Sequence, residues 1–291
     1  MIKENGIVPV LPVLFLAVLA VSFSAVLVRL SVAPSLVIAA YRLLFTVVFL
    51  APATLILCKS ELRTLSAGDL GRCMLSGLFL AIHFYAWMTS LQYTTVAASV
   101  LLVSLHPIFV ALLGWYFFKE QIPGAYWFTL TLALLGTAVM GAGELINGSG
   151  AWSGNLLAML GAFAMAVYLL IGRRLRTRLS TLTYTLCAYG SASLSLLIAV
   201  LLTSASLHPY PRQEYAIFLA LALIPTLMGH TVFNWVLGKV PASFVAFTAL
   251  GEPVGAGILA FFFLKETPTF AQFAGGVLIL TGLYLGVRWR P

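Results

Sequence analysis

Ten apolar stretches, each about long enough to cross a bilayer, follow one another along this chain with only short connections between them. They run 8–29, 35–57, 69–90, 94–118, 123–142, 152–172, 181–203, 214–237, 241–264 and 270–288. A membrane-crossing helix takes about 20 mostly apolar residues to span a hydrocarbon core of about 30 Å. Inside that core every backbone N–H and C=O must be satisfied within the segment, so single runs of this length cross as α-helices. Composition excludes the soluble alternative. The 291 residues are 62% hydrophobic and 8% charged, against roughly 25% charged in a soluble domain. The prediction is an all-α membrane protein of ten transmembrane helices.

The breaks carry ordinary turn punctuation at Ala33-Pro34, Asn147-Gly148-Ser149-Gly150 and Pro209-Tyr210-Pro211. The Asn147-Gly148-Ser149 sequon reads as a turn. The run Val8–Val28 is too long for the apolar region of a secretory signal, so it reads as a retained first helix. No connection is long enough to hold a soluble domain.

A net charge of +8 raises the question of a nucleic-acid partner. The basic residues gather at helix ends instead of forming one patch, which argues against it; the bilayer is the partner this charge serves. With the N-terminus placed in the cytoplasm, that side receives Lys3, Lys59, Arg63, Arg72, Lys119, Arg173, Arg174, Arg176, Arg178, Lys239, Arg288 and Arg290. The other side receives Arg29, Arg212 and Lys265. Basic residues are retained on the cytoplasmic face, so twelve against three sets both termini inside and predicts a multi-pass inner-membrane protein. Cys58, Cys73 and Cys187 are too few and too scattered for a disulfide framework or a zinc site. No phosphate-binding loop, nucleophile elbow or HExxH motif occurs. The sequence therefore calls for no cofactor, no metal and no catalytic residues.

The chain also resembles itself. Ser104-Leu105-His106-Pro107 leads to Phe117-Phe118-Lys119-Glu120, and Leu250-Gly251-Glu252-Pro253 leads to Phe263-Leu264-Lys265-Glu266. Pro107 and Pro253, the two Lys-Glu pairs, Leu113 and Leu259, and Gly136 and Gly282 all stand 146 residues apart without a gap. A proline and a charged pair at one fixed spacing are not chance agreement among leucines. The reading is two five-helix repeats, 1–145 and 146–291. An odd number of helices per repeat makes the second run inverted to the first. Such inverted repeats place a solute site near mid-membrane, between the halves.

These features resemble the EamA branch of the drug/metabolite transporter superfamily: the arginine of Ala40-Tyr41-Arg42, the Pro-to-Glu spacing in the fourth helix, and Glu252-Pro253 in the ninth. The resemblance covers nearly the whole chain. It implies a secondary transporter of small organic solutes, in a family whose members are known or proposed to carry amino acids, other metabolites or nucleotide-derived solutes, often outward. His106 before the first proline departs from the commoner pattern.

Ionisable side chains inside a bilayer cost roughly 2.5–3.5 kcal/mol on insertion scales, so Arg42, His83, His106, His230 and Glu252 each need a reason. Glu252 shares a helix face with Thr248 and Phe244. It binds a cationic group or a coupling proton, or it is a protonated acid bonded to a neighbouring helix. Thr226, His230 and Asn234 form a stripe beside Trp235 that must face protein or a watery cavity. His83 and Trp87 make one face of the third helix with Ser76, and Ser99, Val103 and His106 make one of the fourth. Among the aromatic residues near the expected cavity, Tyr168 is a candidate for contact with solute. Pro107 and Pro253 leave the carbonyls of Val103 and Ala249 without helical partners, beside His106 and Glu252. Arg42, matched to the family's arginine, reads as a structural or gating residue bonded to a carbonyl or carboxylate. The expected cavity is lined by the third, fourth, eighth and ninth helices, with the first and sixth closing it.

Export of amino acids or related metabolites is the leading function. Efflux of cationic or aromatic toxic compounds is the alternative, which Glu252 permits. An intramembrane enzyme would not need matched prolines in an inverted repeat, and a channel would show a continuous polar face. The sequence is compatible with a monomer and with a homodimer.

Overall fold

The structure, a computed structural model, describes residues 10–142, 152–203 and 205–288. Lys3, Arg290 and the Asn147–Gly150 turn lie outside the described residues. The helices are α1 Leu11–Leu30, α2 Ser35–Leu57, α3 Lys59–Thr64, α4 Ala67–Tyr93, α5 Val96–Val103, α6 His106–Phe118 and α7 Gly124–Met140. The second part of the chain contributes α8 Trp152–Arg176, α9 Thr181–Leu201, α10 Arg212–Leu221, α11 Thr231–Leu237, α12 Ala242–Thr248, α13 Glu252–Leu264 and α14 Phe270–Arg288. No strand occurs among the described residues. Among the described residues nine segments are long and apolar enough to cross a membrane, and α7, with 17 residues, is a further, shorter apolar helix.

Three of the expected continuous helices are interrupted. The fourth breaks between α5 and α6 at Ser104–Leu105, and the ninth breaks between α12 and α13 in a 3₁₀ turn at Ala249–Gly251. Pro107 and Pro253 explain both breaks. Each sits within the first two positions of the half-helix that follows, where a missing N–H costs nothing. The freed carbonyls are not left open, as expected, but are bonded locally. Val103 O accepts from His106 Nδ1 at 3.0 Å, and Ala249 O accepts from the Glu252 backbone N–H. The eighth helix widens into a π-helical stretch, Ala222–His230, around Pro225. There the Thr226 and Thr231 hydroxyls each bond a carbonyl five residues back. The linker after α2 adds the short helix α3.

The two broken helices end alike. Lys119 and Lys265 both take left-handed backbone, with φ of 56° and 60°. The next residue folds back in each, Glu120 N to Gly114 O at 3.3 Å and Glu266 N to Ala260 O at 3.4 Å. These are the closing bonds of a left-handed helix cap, repeated 146 residues apart.

The α7–α14 crossing uses the same offset. A Cβ on Gly136 would sit 2.6 Å from the Gly275 carbonyl oxygen, and one on Gly282 would sit 2.9 Å from that of Thr129. Positions 136 and 282, and 129 and 275, are each 146 apart, so the two contacts exchange with one another. A contact of that kind is self-complementary, as across a two-fold axis. Numbering falls along α7 as it rises along α14, so the helices cross antiparallel. Only glycine lets the two backbones come this close.

Side-chain contacts sort the loops to two ends. At one end Glu61 accepts from Ser180 N and Thr183 Oγ1, Asp69 takes Arg72 and Arg178, and Arg173 donates to Leu237 O. At the other end Arg29 meets Glu266 at 2.9 Å, Glu214 accepts from Ser31 and Val32, and Tyr41 donates to Leu207 O. The first end holds most of the chain's basic loop residues. Large apolar side chains such as Phe15, Phe117 and Phe262 are exposed, as they are where lipid is the solvent.

Candidate functional site

A cavity of about 500 Å³ opens between the halves and reaches the end marked by Arg29, Glu266 and Pro268. No described residue of its lining comes from the loops at the basic end. Its wall is largely apolar, with Val21, Phe84, Trp87, Met165 and Phe233 among its residues. The polar exceptions are few and specific, as in small-molecule sites generally.

Arg42 is fully buried at its base. Its Nε donates to Thr226 Oγ1 at 2.7 Å and its Nη1 to Ser24 Oγ at 2.9 Å, while the guanidinium lies 4.2 Å from the Phe84 ring centroid. The partners are hydroxyls, and not the carbonyl or carboxylate expected. Nη2 has no partner among the described residues. Ser24 comes within reach because α1 packs closely on α13, where Ser22 Oγ donates to Glu252 O and Gly255 leaves room for it.

Glu252 enters as the first residue of α13, so the helix break aims its side chain at the cavity. Its carboxylate has no hydrogen bond or ion pair within 4 Å among the described residues, although Arg42 is near enough to attract it. His106 begins α6 in the matching way. His83 and Trp87 stack with 6° between their planes, and His230 packs edge-on against Phe84. Trp87 Nε1 and His230 Nδ1 are buried without a partner among the described residues.

Of the residues read from the sequence, His83, Trp87, His106, His230, Glu252, Arg42 and Pro253 line this cavity. Seven others do not, and each has a reason. Ser99 bonds Ser90 at 2.6 Å. Tyr168 accepts from Asn234, and Asn234 spends its amide on Tyr168 and Tyr189, at 2.6 and 3.0 Å. Thr226 is taken by Arg42, which splits the expected Thr226–His230–Asn234 stripe. Thr248 bonds back to Val245 O. Pro107 is buried behind His106. Ser76, expected on the His83 face, pairs instead with Tyr184 at 2.7 Å.

The fifth and tenth helices line the cavity too, through Thr137, Gln272 and Phe273, and neither was expected to. Ser24 was missed altogether. Its only sequence signal is a second serine two residues after Ser22 in an otherwise apolar helix. Among the described residues no cluster of His, Cys, Asp or Glu is arranged to hold a metal ion.

Chemically, the cavity offers a cation with one free donor, an unpaired carboxylate and a stacked indole N–H inside an apolar wall. That set can hold a small solute bearing separated positive and negative groups.

Comparison with known proteins decides the class of this cavity. The model of the EamA-like transporter family matches residues 9–142 and again 152–288. This chain belongs to the EamA-like transporter family. It is accordingly a multi-pass membrane protein with a transport role. An EamA-like relative in Escherichia coli (strain K12), a probable amino-acid metabolite efflux pump, is 27% identical over 65% of this chain and 68% of its own length. The pseudopaline exporter CntI of Pseudomonas aeruginosa is 28% identical over 72% of this chain and 70% of its own. The transporter YdfC of Bacillus subtilis is 25% identical over 77% and 73%. A solved crystal structure superposes with a TM-score of 0.78 over 95% of this EamA-like chain and 96% of the other, at 18% identity, which speaks to the fold alone.

Proposed function

We propose that this EamA-like transporter exports small amino-bearing metabolites, amino acids or their relatives, across the inner membrane. The observation that carries this reading is the unpaired Glu252 carboxylate facing the same cavity as the buried Arg42. A dipolar solute satisfies both, its ammonium at Glu252 and its carboxylate near Arg42 Nη2 and Trp87 Nε1. The efflux pump and exporter among its relatives point the same way.

The proposed frame is ten helices in two inverted repeats, 1–145 and 146–291. It is supported by the caps at Lys119 and Lys265, the paired helix breaks, the antiparallel exchange of contacts between α7 and α14, and the two separate family matches. Both termini are proposed to be cytoplasmic, since the basic end then faces inward. The cavity is then open to the outside, one of the two states that alternating access requires. Either Glu252 binds only the amine, or it also carries a coupling proton with His106 or His230 in support. Glu252→Gln keeps the shape and removes the titration, so loss of pH-driven accumulation with exchange recovered at high solute would assign the proton to it.

The apolar wall of Phe84, Trp87, Met165 and Phe233 supports a second reading, efflux of cationic or aromatic toxic compounds. A thermal-shift screen over amino acids, nucleosides, sugars and lipophilic cations separates the two. Solute at 100 times its Kd stabilises the protein by about 2.7 kcal/mol. Amino acids are expected to raise Tm; a panel in which only lipophilic cations, or only sugars or nucleosides, do so contradicts the proposal.

A further inference from the structure

One ring nitrogen in the cavity wall has its role fixed by the fold. Gly161 of α8 lies so close to α4 that a Cβ there would stand 3.4 Å from Trp87 N and 3.5 Å from the His83 carbonyl oxygen. That approach brings the Gly161 carbonyl to 2.9 Å from His83 Nδ1. A carbonyl oxygen only accepts, so the neutral ring carries its proton on Nδ1 and presents a lone pair at Nε2. The parallel stack on Trp87, 6.4 Å between ring centroids, holds the plane of the ring. His83 is 8% exposed and lines the cavity, and its Nε2 has no partner among the described residues.

An acceptor set in an apolar wall calls for a donor. The Glu252 carboxylate is a second open acceptor, and it lines the same cavity as His83. We propose that His83 Nε2 and the Glu252 carboxylate together hold an N–H-bearing ammonium, so that the transporter selects primary amines over their fully N-methylated counterparts. This deepens the amine-export reading and rests on it. Charge alone gives no such selectivity, because a trimethylammonium carries the same charge as an ammonium. Quaternary cations are recognised by open aromatic faces, and here the Trp87 face on the His83 side is already covered.

The test is calorimetric binding of leucine and of its N,N,N-trimethyl betaine to wild type and to His83→Asn. Asparagine keeps an N–H for the Gly161 carbonyl and removes the nitrogen that faces the cavity. Wild type is expected to bind leucine about tenfold tighter than the betaine, the scale of one hydrogen bond to a charged group. In the variant leucine weakens until the two differ by less than about threefold, with betaine affinity unchanged. Equal affinities in wild type, or a full gap persisting in His83→Asn, overturn the proposal. Should the variant not fold, the mono-, di- and trimethyl series on wild type decides: affinity falling with each N–H lost supports it, and a flat series overturns it. If neither leucine nor its betaine binds while other solutes do, the amine-export reading itself fails, and this proposal with it.

Discussion

A fully buried arginine such as Arg42 is tolerable only if its donors are met, because an uncompensated buried charge costs several kcal/mol. Thr226 and Ser24 meet Nε and Nη1 and Phe84 offers its ring face, leaving Nη2 without a partner among the described residues. Asn234 is the contrasting case. It is as polar and as deep, yet it lies outside the cavity lining and its Nδ2 is spent on two tyrosine hydroxyls. Asn234→Leu is therefore expected to lose about 1–3 kcal/mol of stability by removing both bonds, seen as a lower Tm, with solute affinity unchanged in the folded fraction. A loss of solute binding at unchanged Tm would put Asn234 in the site after all. The sequence marked the cavity residues well wherever a charge or an imidazole stood in an apolar run, because such groups are expensive in lipid. It marked hydroxyls and amides poorly. Serine and threonine can bond back to their own helix, so Ser24 left no distinctive trace and Ser99 and Thr248 looked more exposed than they are. Nor could helical spacing say whether Asn234 met a cavity or two tyrosines on other helices.

Element by element, the repeat explains more than the hydropathy does. Matched prolines stand at both helix breaks, although apolar length alone made each span read as continuous, whereas the π-helical stretch at Ala222–His230 had only Pro225 as a hint, and α3 none. The α7–α14 crossing follows from Gly136, Gly275 and Gly282, of which the matched pair Gly136 and Gly282 was visible in the sequence. Because its contacts are reciprocal, Gly136→Leu and Gly275→Leu are expected to destabilise alike, by about 1–3 kcal/mol or more through overpacking. Gly276→Ala is the control, with nothing nearer than 4.0 Å to its new Cβ. Thermal melts in detergent check this, and a tolerated Gly275→Leu would contradict the close crossing. At the basic end, α3 is tied to α9 through Glu61. Partial burial pushes the Glu61 carboxyl up, but hydrogen bonds from Ser180 and Thr183, with Arg176 nearby, outweigh it and hold it below its ordinary 4.5. A carboxylate lowered in the folded state adds stability that is complete above its unfolded value and fades as pH falls through the folded one. The Tm gap between wild type and Glu61→Gln should thus be full above about pH 5 and close at lower pH. A gap that widens on acidification would contradict this.

For the whole molecule, two observations bear on one another: contacts between α7 and α14 that exchange at an offset of 146 residues, and a cavity whose lining, among the described residues, reaches the end marked by Arg29 and Glu266. The proposed inverted halves would let one end close as the other opens around a fixed site. The all-helical membrane class was legible because membrane span length is set by the bilayer and not by packing detail. The cavity's extent was not, since the fifth and tenth helices join it through residues such as Thr137 and Gln272 that cost little to bury. The central claim is that the solute's ammonium is held by Glu252 inside this cavity. Counterflow of radiolabelled leucine in proteoliposomes tests it directly, comparing wild type with Glu252→Gln at equal amounts of folded protein. Losing a charge-paired hydrogen bond should cut exchange at low substrate by about tenfold to a hundredfold, with part of the loss recovered at high leucine. Undiminished exchange by Glu252→Gln across the whole concentration range would contradict the account.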